Sequence, residues 1–339
     1  MTDNEQINVV VTVDFSEAIM TRLREISPRL NVKKYTSAVP DNVWSTAEVL
    51  YTSRIFPAPE DAPMLRWIQL NSAGLERAMQ HPVVKTGAVQ VTSASGIHAQ
   101  QIANYCLMMM LAFNYKLPAM MRYQQRAEWP DDKFSIFKPV DMAKQTLGLV
   151  GYGSIARELA RLAQTLGMRV LATKRDIKKT AETRTDYVQE GTGDSDGSIP
   201  ERIYPSETLP SMVGECDYLV VTVPLTDQTR HMVDAAVLDA MKPNAVLINI
   251  ARGAVVDEQA LIHALQTGTI GGAGLDVFEK EPLPADSPLW QMDNVIISPH
   301  VSGNSDDYLD KAADLFAENL KRYLDNKPLY NQLDRDEGY

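Results

Sequence analysis

The chain has 339 residues, 45% of them hydrophobic, with 33 basic against 44 acidic side chains and a formal net charge of -11. One hydrophobic core rarely fills such a length, so two domains are expected. The acidic balance and the lack of a Lys/Arg-dense run argue against nucleic acid or an anionic membrane as partner. No stretch reaches the ~18 apolar residues of a membrane span, and the start MTDNEQ lacks the features of a signal peptide, so a cytoplasmic location is expected.

The first part alternates β-type runs with helical patterns: INVVVTV (7 to 13), a helix over 15 to 26, VKKY (32 to 35), EVLYT (48 to 52), RWIQL (66 to 70) and VQVTSA (89 to 94). Strands separated by helices imply a parallel sheet. Residues 98 to 114 are apolar on almost every side and predict a buried helix, its Met stripe serving as core. His98, at its start, reads as a capping or packing residue. The segment 119 to 141 carries Arg122, Arg126, Trp129 and further aromatics without a clear period. It reads as a connecting arm whose exposed aromatics suit a subunit contact.

The run TLGLVGYGSIA (146 to 156) is then strand, glycine turn and helix, the G-x-G-x-x-[GA] arrangement. Its first glycine makes the turn, its second admits a pyrophosphate, and its third small residue lets the helix pack on the strand. The helix N-terminus offers N–H groups to phosphates. RVLAT (169 to 173), YLVVTVP (218 to 224), AVLINI (245 to 250), AGLDVF (273 to 278) and VIIS (295 to 298) continue as strands apolar nearly throughout, as in a parallel sheet covered on both faces. The interruption at 176 to 206, centred on GTGDSDGS, reads as a long surface loop. A last amphipathic helix is expected over 304 to 325, followed by a polar, loosely ordered tail. Cys106 and Cys216 suit buried free thiols, and His81, His231 and His263 show no metal-ligand spacing, so no metal is expected.

Three groups stand just beyond strand ends in the second half: Arg252, Glu281 and His300. Ligands of open α/β sheets lie outside the carboxyl ends of the strands. An arginine fork suits a carboxylate, a histidine moves a proton near neutral pH, and a glutamate can hold and tune that histidine. Each alone has a plain structural explanation: a solvated arginine, a histidine completing a turn after Pro299, a loop glutamate. Their combination favours one cleft.

GYGSIA, VPLTDQTRHMV, LINIARGAVVDEQAL, GAGLDVFEKEPLPADSPLW and NVIISPHVSG, in this order, resemble the D-isomer-specific 2-hydroxyacid dehydrogenase family, and glyoxylate/hydroxypyruvate reductases in particular. The resemblance runs from about residue 48 to the end and is dense over 146 to 303. It implies an α/β fold of two Rossmann-like or flavodoxin-like domains with doubly wound parallel sheets. The nucleotide-binding domain (118–301) would be inserted into a substrate domain made of 1–117 and 302–339. It also implies an oxidoreductase that reduces a 2-keto acid to a D-2-hydroxy acid, or the reverse, as a homodimer joined through the 119 to 141 arm, with Trp129 as a buried anchor.

By position, Arg252 resembles the arginine gripping the substrate carboxylate and carbonyl, His300 the proton donor and Glu281 its partner, while Glu279 reads as solvated. Asn71-Ser72-Ala73-Gly74 resembles the loop whose N–H groups help hold the carboxylate, the substrate contacts being Ser72, Ala73 and Gly74. The implied cofactor contacts are Gly151, Gly153, Ser154, Ile155, Thr173, Lys174, Arg175, Thr222, Val223, Pro224, Ile250, Ala251, Asp276, His300 and Gly303, with Asp276 positioning the nicotinamide amide.

An NAD-selective site places an acid near the end of the second strand. Thr173-Lys174-Arg175 put a hydroxyl and two cations there, which suits the 2′-phosphate of NADP(H). NAD(H) is the alternative if Asp176 takes the acid's role. Tyr51, Thr52, Phe56 and Trp290 are candidates for the pocket wall, and Asn104 replaces a common family glutamate. A dinucleotide-sensing, corepressor-like binding protein is the competing function, and formate or phosphite oxidation a third. Formate dehydrogenases carry Gln in place of Glu281.

Overall fold

The computed structural model describes residues 6–178, 181 and 185–335. Positions 179, 180 and 182–184 of the expected loop, 336–339 of the expected tail and the first five residues lie outside the described residues. The chain divides into two compact units, Met1–Ile97 with Thr183–Gln189 and Ser305–Tyr339, and His98–Glu182 with Glu190–Asn304.

In the first unit β1 (Ile7–Val11), β2 (Leu30–Lys34), β3 (Val49–Thr52), β4 (Trp67–Leu70) and β5 (Gln90–Thr92) form one parallel sheet in the order β2-β1-β3-β4-β5. The central strands VLYT and WIQL are buried at every position, because helices cover both faces. Ser16 caps the helix Glu17–Arg24 by accepting the Ile19 N–H. The C-terminal helix Tyr308–Leu324 turns Ala313, Phe316 and Leu320 into a core shared with Val9, Val49, Tyr51 and Trp67. The tail is not loose as far as Arg335. Leu333 is buried, Gln332 bridges to Thr92, and Arg335 donates to the carbonyls of Val84 and Val89. Its polar composition hid contacts made with sequence-distant residues.

In the second unit β6 (Thr146–Val150), β7 (Arg169–Lys174), β8 (Arg202–Pro205), β9 (Tyr218–Val221), β10 (Val246–Asn249), β11 (Gly272–Leu275) and β12 (Val295–Ile297) make a parallel sheet in the order β12-β11-β10-β9-β6-β7-β8. The order reverses at β6, so the glycine turn that follows it lies at the switch point where such sheets bind ligands. The helix Ala99–Asn114 packs on the helix Ser154–Thr165, and its Ile102, Cys106, Met109 and Met110 join Leu147, Leu149 and Val220 in the core. The second unit therefore begins at His98, before this helix, where the resemblance had set the boundary after it.

The loop at 176 to 206 is more built than its composition suggested. It ends in β8, which pairs parallel to β7. Between them the Asp194 carboxylate is buried against the helix that opens at the glycine turn. It accepts from the Tyr152 hydroxyl at 2.5 Å, from the Ser198 N–H at 3.1 Å and from the Ile199 N–H at 3.0 Å. Arg157 donates to the Asp194 carbonyl and lies over the Tyr152 ring. The arm forms the short helices Leu117–Gln125 and Lys133–Ile136, neither with a buried residue. It is pinned where Asn114 exchanges two hydrogen bonds with the Val140 backbone.

Candidate active site

Gly151, immediately after β6, has φ +91°, and a Cβ there would lie 2.7 Å from Val223 Cγ1. Only glycine makes this turn without strain. Its N–H donates to Thr173 Oγ1 at 3.0 Å, and the Thr222 hydroxyl donates to the Val150 carbonyl, so the ends of β7 and β9 are tied to the turn. Thr173 is buried and serves the turn, rather than presenting a hydroxyl to solvent beside Lys174. Gly153 caps the helix Ser154–Thr165, and a Cβ there would meet no heavy atom within 4 Å. Ser154 and Ile155 begin that helix, half-buried. Open space at a glycine before a helix N-terminus is the shape a pyrophosphate requires.

At the carboxyl end of β7, Lys174 is half-buried and Arg175 exposed. Asp176, the acid that would favour an unphosphorylated ribose, has Oδ1 engaged by the Lys178 N–H at 3.0 Å. Beyond β9, Val223 is half-buried and Pro224 exposed, its carbonyl accepting from the Thr229 hydroxyl.

The end of β10 is fixed by its last residue. Asn249 Oδ1 accepts the Ala251 N–H and Nδ2 donates to the Arg252 carbonyl, folding Ile250, Ala251 and Arg252 into a turn. Ile250 and Ala251 are buried, while Arg252 is half-buried and donates from Nη1 to the Ala251 carbonyl at 2.7 Å. A Cβ at Gly253 would fall 1.8 Å from the Phe278 carbonyl carbon. Glycine at that position lets the Arg252 turn lie directly on the loop carrying Glu281.

Glu281 Oε1 accepts the Phe278 N–H at 3.1 Å, which sets its side chain, and Oε2 meets His300 Nδ1 at 2.8 Å. The pair is half-exposed. With Nδ1–H committed to the carboxylate, Nε2 is the ring atom left to act on a substrate. Glu279 is not merely solvated: its Oε1 takes His231 Nε2 at 2.8 Å, and its N–H donates to Glu258 Oε2. Asp276 is fully buried, and its carboxylate accepts from Ser298, Val301 and Ser302. His98 Nδ1 donates to the Gly303 carbonyl at 3.1 Å and makes no side-chain cap, so it packs against the loop after His300. Asn104 is exposed on its helix.

In the first unit, β4 runs into Asn71–Gly74. Ser72 and Ala73 are exposed and Gly74 half-buried, with the Ser72 hydroxyl donating to the Gly74 carbonyl. Tyr51 gives its hydroxyl proton to Asn71 Oδ1 at 2.6 Å, and Tyr308 donates to the Asn71 carbonyl. Two of the four expected wall residues are therefore corrected. Tyr51 and Thr52 are fully buried, the one anchoring Asn71 and the other donating to the Ile55 carbonyl. Phe56 stacks on His81 with ring centroids 4.1 Å apart, and Trp290 is half-exposed, donating to the Pro284 carbonyl. Tyr105, Ser298 and Tyr308 carried no sequence signal, since their partners lie far away along the chain.

The family described as D-isomer specific 2-hydroxyacid dehydrogenase, NAD binding domain, matches residues 107–302. A glyoxylate reductase of Korarchaeum cryptofilum is 33% identical over 266 residues, 77% of this chain and 74% of its own. Glyoxylate/hydroxypyruvate reductase B of Yersinia pestis is 35% identical over 241 residues, 71% and 68% of the two chains. The D-isomer specific 2-hydroxyacid dehydrogenase of Xanthobacter autotrophicus Py2, solved with NADPH and MES, superposes with a TM-score of 0.81 at 27% identity over 98% of this chain and 100% of its own. With a parallel sheet switching at the glycine turn and Arg252, Glu281 and His300 beyond its strand ends, the chain belongs to the D-isomer specific 2-hydroxyacid dehydrogenase family of NAD(P)-dependent oxidoreductases.

Proposed function

We propose that the protein is an NADPH-dependent reductase of small 2-keto acids of the glyoxylate and hydroxypyruvate class, forming the D-2-hydroxy acid. The observation that carries this reading is the 2.8 Å contact between His300 Nδ1 and Glu281 Oε2, a histidine held for proton donation through its other nitrogen. His300 Nε2 gives a proton to the carbonyl oxygen, so that no alkoxide persists. Glu281 fixes the ring, and Arg252 holds the substrate carboxylate with its forked donors. In the first unit, Ser72, Ala73 and Gly74 present backbone N–H groups suited to a carboxylate. The relatives named as glyoxylate and hydroxypyruvate reductases support this substrate class.

The turn Gly151–Ile155, with its open space at Gly153, holds the pyrophosphate. Thr222, Val223, Pro224, Ile250, Ala251 and Gly303 line the dinucleotide, and the nicotinamide-amide role expected of Asp276 is not carried over, because its carboxylate is fully buried and accepts from Ser298, Val301 and Ser302. The nicotinamide supplies the hydride when bound. Lys174 and Arg175 pair with a 2′-phosphate, and the NADPH bound to the Xanthobacter enzyme accords with this choice. The free, buried Cys106 and Cys216, the latter's thiol pushed up to about 12 by burial, accord with a reducing, cytoplasmic setting.

Turnover of a panel of 2-keto acids with NADPH and NADH tests the proposal. NADPH is expected to be preferred in kcat/KM, and the Lys174→Ala, Arg175→Ala double variant to lose about 10- to 100-fold with NADPH and little with NADH. A clear NADH preference overturns the cofactor choice. Tight NADPH binding without turnover of any keto acid supports a dinucleotide sensor instead.

A further inference from the structure

Behind His300 runs a chain of hydrogen bonds that none of the roles above uses. The Tyr105 hydroxyl, on the helix Ala99–Asn114, lies 2.6 Å from Ser298 Oγ, and Ser298 Oγ donates to Asp276 Oδ1 at 2.5 Å. Oδ1 also accepts the Val301 N–H at 2.8 Å, and Oδ2 accepts the Ser302 N–H at 2.9 Å. The Asp276 main-chain carbonyl takes the His300 N–H at 2.9 Å. Residues 298 to 302 are thus wrapped around one fully buried aspartate.

The wrapping has something to hold. His300 has φ +55°, in the left-handed region that a side-chain-bearing residue adopts only at an energetic cost. Such a conformation persists only where its surroundings over-determine it. The direction of the chain follows from counting protons: a serine hydroxyl has one, Ser298 gives it to Asp276, and Tyr105 must therefore be the donor to Ser298. Burial above all, with the Asp276 charge adding to it, pushes the Tyr105 phenol above its ordinary range and keeps it a donor.

We propose that Tyr105 and Ser298 are positioning residues for proton transfer: through Asp276 they hold the 298 to 302 turn and so fix where His300 Nε2 stands. The proposal rests on His300 being the proton donor. A misplacement of about 1 Å in a reacting group can cost on the order of 100-fold in rate, so a hydrogen bond two residues from the histidine matters without touching substrate.

Three variants separate this role from a merely structural one. Ser298→Ala removes the link, Tyr105→Phe removes only the donor behind it, and Ser298→Thr keeps a hydroxyl. Ser298→Ala is expected to lower kcat about 10- to 100-fold, with keto-acid KM and NADPH affinity changed less than about 2-fold. The solvent deuterium isotope effect on kcat should rise as proton transfer becomes limiting. Tyr105→Phe should act in the same direction more weakly, and Ser298→Thr should restore wild-type behaviour.

The imidazole proton resonances of His300, identified by their loss in His300→Asn, should shift in Ser298→Ala and return in Ser298→Thr. Unchanged kcat and resonances in both Ser298→Ala and Tyr105→Phe overturn the proposal. So does a loss of NADPH affinity matching the loss of kcat, which would make the chain a cofactor support. The resonances are read without turnover, so a wild-type protein that reduces no keto acid sinks the reductase reading separately.

Discussion

His300 and Glu281 are joined at their outer edge, where the charge of the carboxylate and its shape do different work. Glu281→Gln removes the negative charge and leaves one oxygen to accept where the carboxylate accepts twice, from the Phe278 N–H and from His300 Nδ1–H. It is expected to lower kcat about 10- to 1000-fold while leaving NADPH affinity intact, measured by steady-state kinetics and cofactor fluorescence. Tyr308 offers a complementary test on the carboxylate loop. Tyr308→Phe frees the Asn71 carbonyl, while Tyr51 still donates to Asn71 Oδ1 and the Asn71 N–H still donates to the Thr52 carbonyl. KM for the keto acid should rise about 3- to 10-fold with kcat nearly unchanged, the mark of lost ground-state binding. The positions of Glu281 and His300 beyond apolar runs were legible in the sequence, while the choice of Glu281 as the histidine's partner came from the family resemblance, in which the acid directly precedes a proline. The tyrosine supports were not legible, because Tyr308 and Asn71 are brought together only by the fold.

Among the elements, the apolar strands could be read directly, since a sheet covered on both faces leaves no room for polar alternation. β8, RIYP, escaped because it is a four-residue edge strand carrying an arginine and a proline at the end of a glycine-rich loop. The Asp194 clasp escaped for the opposite reason, a buried carboxylate inside a stretch that looked fully solvated. Burial opposes the Asp194 charge, but Tyr152, the Ile199 and Ser198 N–H groups and Arg157 outweigh it and hold the carboxyl below its ordinary value. A depressed native pKa contributes stability that is complete above the ordinary aspartate value of about 4 and is lost as pH falls through the lower native value. Asp194→Asn should therefore lower Tm by several degrees at neutral pH, from a loss of about 1 to 3 kcal/mol. Thermal melts should show the gap closing below about pH 3 to 4. A gap that stays constant with pH would mean that the charge contributes nothing there.

At the scale of the whole molecule, the arm carries the two most exposed large hydrophobic side chains among the described residues. Trp129 and Phe134 are 83% and 84% exposed, and Met121, Leu117 and Val140 add to the apolar area along the same segment. Apolar exposure of this kind is characteristic of subunit contacts. A homodimer is expected by light scattering at micromolar protein, and Trp129→Glu with Phe134→Glu should yield a monomer whose Tm is lower. A wild-type monomer would remove the arm from consideration.

The excursion Thr183–Gln189 has a different consequence, for anyone who would cut the gene into parts. Tyr187 takes its N–H to Asn331 and sets its ring edge-on to Tyr330, partners that a fragment spanning 98 to 304 would leave behind. Neither unit can be excised as one uninterrupted piece of sequence, and a clean nucleotide-binding fragment needs this short passage spliced out and the ends of its loop rejoined.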